Sequence, residues 1–230
     1  MKNKIIFVAC DASNIRKAKN IIIQTKNNKL KIIPKFGLQL FYSKNGRKFL
    51  EKFKRDFWLD VKLNDIPQTA LSALDSLKDL KKCKYITVHA NGGLEMLKAI
   101  KKKTSKINKN IKVLGVTILT SLNNKSLKEI GYNKTVDKLV LKQSYLIKKS
   151  GCDGIVCTAQ EAKLIRKKMK NLFIVTPGIR LPGDSSNDQS RVMTPKNAFN
   201  NDVSGIVMGR SLTKGNIKNN IKRLVQHLNQ

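Results

Sequence analysis

Phe57-Trp58-Leu59-Asp60-Val61-Lys62-Leu63-Asn64-Asp65-Ile66-Pro67-Gln68-Thr69 joins an apolar run to a proline that can open a helix. The run reads as a buried strand, and Pro67 suits the first helical position. Residues two apart on a strand share a face, so Asp60 and Lys62 point one way and Leu59, Val61 and Leu63 the other. Asp65 falls just past the strand. A lysine held among carboxylates stays protonated, because opposite charge stabilises its ammonium form. It is then a proton donor of fixed position. By itself, Asp-x-Lys-x-x-Asp also describes a strand-end salt bridge followed by a helix N-cap, since ion-pair networks without function take the same form.

The same rhythm runs outward along the chain. Short β-rich runs at Ile5–Asp11, Lys31–Gly37, Phe57–Lys62, Tyr85–Ala90, Val113–Ser121, Gly154–Ala159, Phe173–Ile179 and Gly205–Arg210 alternate with longer amphipathic, lysine-rich stretches. Alternating strand–helix units imply a parallel sheet, and eight of them imply a closed α/β barrel of the (β/α)8, TIM type. No linker-like segment interrupts residues 1–230, which predicts a single domain. That length is normal for a fold of roughly 250 residues.

Nearly every run ends on a polar or small residue: Asp11, Lys35 with Gly37, Asp60 and Lys62, His89, Thr120 and Ser121, Thr158, Arg180, Gly209 and Arg210. Thr158 and Ser121 also suit helix N-caps. Charged groups at most of the ends are not explained by capping. In this fold those ends form the active-site face, and the loops after the seventh and eighth strands often bind phosphate. Here those loops hold Thr176-Pro177-Gly178-Ile179-Arg180 and Met208-Gly209-Arg210. Glycine lets a backbone amide approach an oxyanion, and arginine offers a bidentate fork. Leu181 to Arg191, rich in Gly, Ser, Asn and Asp, has the composition of a mobile lid. Thr194-Pro195 then predicts an N-cap and first helical residue.

Composition narrows the chemistry. Cys10, Cys83, Cys152 and Cys157 form no CxxC pair, and with His89 and His227 the only histidines no zinc-ligand set is visible. Buried, reduced thiols are expected. The GxxxxGK[ST] and GxGxxG phosphate loops are missing. No apolar run approaches the roughly 20 residues of a membrane span. Ile5 to Cys10 is too short for a signal peptide and reads as the first strand, so a cytoplasmic protein is expected. The net charge of +32 invites a nucleic-acid reading, but the excess is mostly lysine and is spread along the chain. Lys101-Lys102-Lys103 and Lys167-Lys168 sit in predicted helices with Leu97, Ile100, Leu164 and Ile165 inward. No aromatics alternate with these lysines to make a stacking platform. A solvated basic surface with incidental affinity for polyanions is expected, not a specific nucleic-acid partner.

These residues together resemble the orotidine 5′-phosphate decarboxylase family in its bacterial form. The resemblance runs in order over almost the whole chain. It is carried by Asp60-Val61-Lys62-Leu63-Asn64-Asp65-Ile66-Pro67-Gln68-Thr69, Val88-His89-Ala90-Asn91-Gly92-Gly93, Val116-Thr117-Ile118-Leu119-Thr120-Ser121 and Asp153-Gly154-Ile155-Val156-Cys157-Thr158-Ala159-Gln160-Glu161-Ala162. Thr176-Pro177-Gly178-Ile179-Arg180, Asp188-Gln189-Ser190-Arg191 with Thr194-Pro195, and Gly209-Arg210 complete it. It implies a homodimer that converts orotidine 5′-monophosphate to uridine 5′-monophosphate without a cofactor or metal, the last step of de novo pyrimidine nucleotide synthesis. It implies that Lys62 protonates C6, that Asp60 sits beside the departing carboxylate and that Lys35 holds Asp60. Asp65 and Thr69 would reach the partner's site, and Asp11 the ribose in its own. Thr120 would read the base edge, with Pro177 near the base, and Arg180, Gln189, Gly209 and Arg210 would bind phosphate. The chain departs from the family's usual pattern at Cys10, at Pro34-Lys35-Phe36-Gly37, where a second lysine is often found, and at Asn91. Two other readings remain: a metal-dependent sugar-phosphate decarboxylase of the same superfamily, and a basic nucleic-acid-binding barrel.

Overall fold

The computed structural model describes residues 4–185 and 192–229. Strands β1 (Ile5–Ala9), β2 (Lys31–Gly37), β3 (Phe57–Leu63), β4 (Cys83–His89), β5 (Lys112–Val116), β6 (Gly154–Val156), β7 (Phe173–Thr176) and β8 (Gly205–Met208) pair in parallel and in chain order. β8 closes onto β1, giving the expected barrel. Helices α1 (Ile15–Gln24), α2 (Leu38–Phe41), α3 (Gly46–Glu51), α4 (Pro67–Asp75), α5 (Gly93–Ile107), α6 (Asn124–Glu129), α7 (Val136–Lys149), α8 (Ala159–Lys168), α9 (Pro195–Asn200), α10 (Arg210–Thr213) and α11 (Ile217–Asn229) fill the connections. Among the described residues no helix is long and apolar enough to cross a membrane.

Strand alternation divides the core into two layers. Ile5, Phe7, Ala9, Ile33, Trp58, Tyr85, Leu114, Val116, Val156, Val175 and Val207 fill the barrel interior. Phe7 packs edge-on against Trp58 and Tyr85, with ring centroids 4.8 and 5.1 Å away. The other strand face, with Ile6, Val8, Phe36, Leu59, Val88 and Ile206, packs against the helices. The interior plug is the floor on which the site is built.

Most strands stop short of the sequence-based expectation. β1 ends at Ala9 rather than Asp11, β6 at Val156 rather than Ala159, β7 at Thr176 rather than Ile179 and β8 at Met208 rather than Arg210. The largest overrun is at β5, which ends at Val116, not Ser121. Its partner β6 is only three residues long and offers no ladder further on. The polar residues therefore sit on the loops that leave the strands. β4 begins two residues early, at Cys83.

Caps mark the helix starts. Thr158 and Glu161 form a reciprocal capping box on α8. Thr194 caps α9, with Pro195 opening it. Ser121 caps nothing; Asn123 caps α6. Pro67 opens α4, but its cap residue is Ile66, and Asp65 only accepts from the Ile66 amide at 2.7 Å. Leu97, Ile100 and Ile165 are buried as expected, whereas Leu164 is 37% exposed. It lies one position off the inner stripe of α8, which runs through Glu161, Ala162 and Ile165.

Candidate active site

β2 and β3 deliver the charged core of the site. Lys35 pairs in register with Ala9 on one side and Trp58 on the other, and Gly37 pairs with Asp60. Asp60 follows Trp58 by two residues and so also faces inward. Past Leu59 the β3–β4 register slips, resuming at Leu63 opposite Val88. Within that slip Lys62 adopts φ 49°, a left-handed conformation costly for a side-chain-bearing residue. Its amide donates to Thr87 Oγ1 at 3.0 Å.

The charges alternate. Lys35 Nζ lies 3.5 Å from Asp11 Oδ1 and 3.0 Å from Asp60 Oδ2. Lys62 Nζ donates to the other Asp60 oxygen at 2.9 Å, and Thr87 Oγ1 donates to that same oxygen at 2.9 Å. Burial alone would raise the pKa of Asp60, but Lys35 and then Lys62 outweigh it and hold the carboxyl down at about 2. Burial opposes the Lys35 ammonium, but Asp60 and then Asp11 overcome this and raise its pKa. Asp60 is thus fixed as a carboxylate and Lys35 as a cation. Gly37 makes room for this packing: a Cβ there would stand 2.8 Å from Asp11 Oδ1.

A cavity of about 500 Å³ opens above this array. Asp11, Lys35, Asp60, Lys62, Thr120, Pro177, Arg180, Gly209 and Arg210 all line it. By strand order, the loops after β7 and β8 face β3 and β4 across the mouth. Gly178, at φ 77°, turns the chain so that Arg180 reaches the rim. Arg180 is 7% exposed, and its Nε has no hydrogen-bond partner among the described residues. Burial, and then the nearby Arg210, lower its pKa.

Other expected residues are placed elsewhere. Asp65 and Thr69 are exposed and do not line the cavity. Gln189, with the rest of the Asp188–Arg191 segment, lies outside the described residues. His89 caps the turn Ala90–Gly92, and burial followed by Lys62 lowers its pKa. Thr158 is committed to its capping box. The unusual Cys10 donates its amide to the Lys35 carbonyl at 2.9 Å, and Asn91 accepts from Gln143 Nε2 at 2.8 Å. Two contributors went unread. Thr87 fixes both Asp60 and the Lys62 amide, and Trp58 forms part of the cavity wall. Strand periodicity from Tyr85 and Asp60 respectively was the available signal.

Among the described residues no group of three or more His, Cys, Asp or Glu side chains is placed to hold a metal ion. All four cysteines are buried and unpaired.

Comparison with known proteins agrees with this geometry. The family model described as "Orotidine 5'-phosphate decarboxylase / HUMPS family" matches residues 4–223. Orotidine 5′-phosphate decarboxylase of Fusobacterium nucleatum is 36% identical over 233 residues, covering 99% of this chain and 96% of that protein. The Staphylococcus epidermidis protein of the same name is 40% identical over 184 residues, 78% of this chain and 80% of that one. The crystal structure of orotidine 5′-phosphate decarboxylase from Lactobacillus acidophilus superposes with a TM-score of 0.82 at 29% identity, covering 98% of this chain and 99% of that one. The chain belongs to the orotidine 5′-phosphate decarboxylase / HUMPS family and is a lyase.

Proposed function

We propose that this enzyme decarboxylates orotidine 5′-monophosphate to uridine 5′-monophosphate and carbon dioxide, closing pyrimidine nucleotide synthesis in the cytoplasm without a cofactor. The observation that carries the reading is the Asp11–Lys35–Asp60–Lys62 array at one side of a cavity whose other side presents Arg180 and Arg210. A nucleotide with phosphate at the arginines and base at the array fits that distribution of charge.

The difficult species is the carbanion-like centre left at C6 as the C6–carboxylate bond breaks. A fixed ammonium there stabilises charge that develops only in the transition state. Lys62 then gives its proton to C6, and the electron pair of the broken bond becomes the new C–H bond. Asp60, held ionised, keeps Lys62 oriented and stands beside the departing carboxylate. Lys35 holds Asp60, and Asp11 takes the ribose hydroxyls. Thr120 reads the base edge, with Pro177 against the base. Arg180, Gln189, Gly209 and Arg210 bind phosphate, whose binding energy serves to orient the base.

The reading includes a homodimer. Asp65 and Thr69 are too exposed to serve their own cavity, and Ile66 between them is 67% exposed, an apolar side chain suited to cover by a second chain. Asp65 of the partner subunit extends the charge array, and Thr69 of the partner subunit reaches the ribose.

The test is the absorbance change of orotidine 5′-monophosphate with purified protein in EDTA. Stoichiometric conversion to uridine 5′-monophosphate is expected. No conversion by folded protein overturns the reading, and metal-dependent decarboxylation of a sugar phosphate in its place favours the sugar-phosphate decarboxylase.

A further inference from the structure

Two arginines of like charge share the cavity rim, and they arrive on different loops. Arg180 follows β7, whereas Arg210 opens α10 after β8. Arg210 lowers the pKa of the buried Arg180, so each charge disfavours the other. Both also line a second, outer cavity of about 260 Å³, together with Asp184, Ser211 and Arg223.

Ser211, 6% exposed, occupies the joint. Its Oγ accepts from the amide of Leu181, the residue after Arg180, at 2.9 Å. The same hydroxyl donates to Asp184 Oδ2. Ser211 itself is the residue after Arg210, so one side chain stitches together the backbones that carry the two arginines. The other Asp184 oxygen accepts from Arg223 Nη2 of α11 at 2.9 Å, and that nitrogen also donates to the Pro182 carbonyl at 3.0 Å. Asp184 has a second effect: its charge raises the pKa of Arg180, opposing burial and Arg210.

We propose that Ser211, with Asp184 and Arg223 behind it, is a positioning residue that assembles Arg180 and Arg210 into one preformed phosphate-binding wall. The inference rests on the phosphate assignment made above and deepens it. The wall is organised before ligand arrives, so phosphate binding does not have to order two mutually repelling cations. Removing the hydroxyl frees the Leu181 amide and one Asp184 oxygen, and the arginine loops lose their shared anchor.

The experiment compares phosphate-bearing and phosphate-free ligands in the full-length wild-type protein and in S211A. Binding is followed by the fluorescence of Trp58, the single tryptophan, which lines the cavity. S211A is expected to bind uridine 5′-monophosphate roughly tenfold more weakly, the loss of about one good hydrogen bond, with uridine affinity unchanged. For orotidine 5′-monophosphate, KM should rise by a similar factor. S211T, which keeps the hydroxyl, should restore both. Equal loss for uridine and its monophosphate would mark a merely structural role and overturn the proposal, as would unchanged affinity for both. D184N, which removes the charge and one of the two acceptor oxygens, supplies the same comparison if S211A does not fold. Failure of the functional reading is separate: wild type would then not turn over orotidine 5′-monophosphate, while the variant's selective loss of phosphate affinity would still support the wall.

Discussion

Lys62 Nζ meets Asp60 Oδ1 at 2.9 Å at the point where Lys62 leaves regular strand geometry, at φ 49° within a register slip of β3 against β4. Strand alternation places Lys62 on the same inward face as Asp60, and the backbone strain falls on this cavity-lining lysine. The Lys62 side chain is 36% exposed, whereas that of Asp60 is 11% exposed, so the pair presents its cation to the ligand and buries its anion. Lys62→Ala is expected to abolish turnover while far-UV circular dichroism and the melting temperature stay near wild type. Turnover within tenfold of wild type would remove Lys62 as proton donor.

The ionisation of Asp60 should be visible in acid stability. Its folded pKa of about 2 lies below its ordinary value of 3.8, so ionisation favours the folded state. That contribution is fully present above about pH 5 and is lost as pH falls through 2, on the order of 2 kcal/mol in total. Asp60→Asn leaves the buried Lys35 charge with Asp11 as its remaining carboxylate and should be less stable at pH 7, by roughly 2 kcal/mol. The gap between variant and wild type should narrow between pH 4 and 2. Denaturant titrations at each pH check this; a constant gap would contradict the assignment.

Arg210→Ala should cut kcat/KM for orotidine 5′-monophosphate by roughly 100-fold, as expected for losing a charge-assisted contact to phosphate. An unchanged kcat/KM in steady-state kinetics would remove Arg210 from the phosphate site.

Mixing two inactive chains tests the shared site. Lys62→Ala and Asp65→Ala homodimers should each be nearly inactive, and a refolded mixture should regain activity from the hybrid, in which one of the two sites is intact. No recovery would place Asp65 outside catalysis.

The thiols should be silent in the native protein. Burial pushes Cys10 and Cys83 up to about 12, Cys152 up to about 11, and Cys157 well above its ordinary value. An aromatic disulfide reagent at pH 8 should label none of the four cysteines in the fold and all of them in denaturant.

Much of the barrel was legible because parallel strands are buried on both faces and therefore read as apolar runs. Lys31–Gly37 matches β2 in full, and Phe57–Lys62 stops one residue short of β3. The far ends were misjudged where Asp11, Thr120 and Arg210 continue the run in sequence beyond the ends of β1, β5 and β8. Thr87 escaped notice because a buried threonine looks like any other β-former; periodicity from Tyr85 gives its face, and its contact with Asp60 gives its role. Ser211 and Asp184 lie 27 residues apart, and no local pattern encodes such a pair. Asp65 is exposed and bonds only locally, to the Ile66 amide, so its expected role is not visible in the geometry of the described residues.

The isolated bridge between Ile179 and Met193, with the Arg180 amide bonded to the Met193 carbonyl and the Met193 amide to the Gly178 carbonyl, closes the base of the segment between them. Both ends of that segment are pinned side by side on the barrel rim. Leu181, Pro182 and Asp184 are further tied to Ser211 and Arg223, but the segment's length is still loosely constrained, since doubling a loop costs only about 0.6 kcal/mol in closure entropy. The rim thus works as a socket that can take a different insert while the barrel and its charged floor stay as they are.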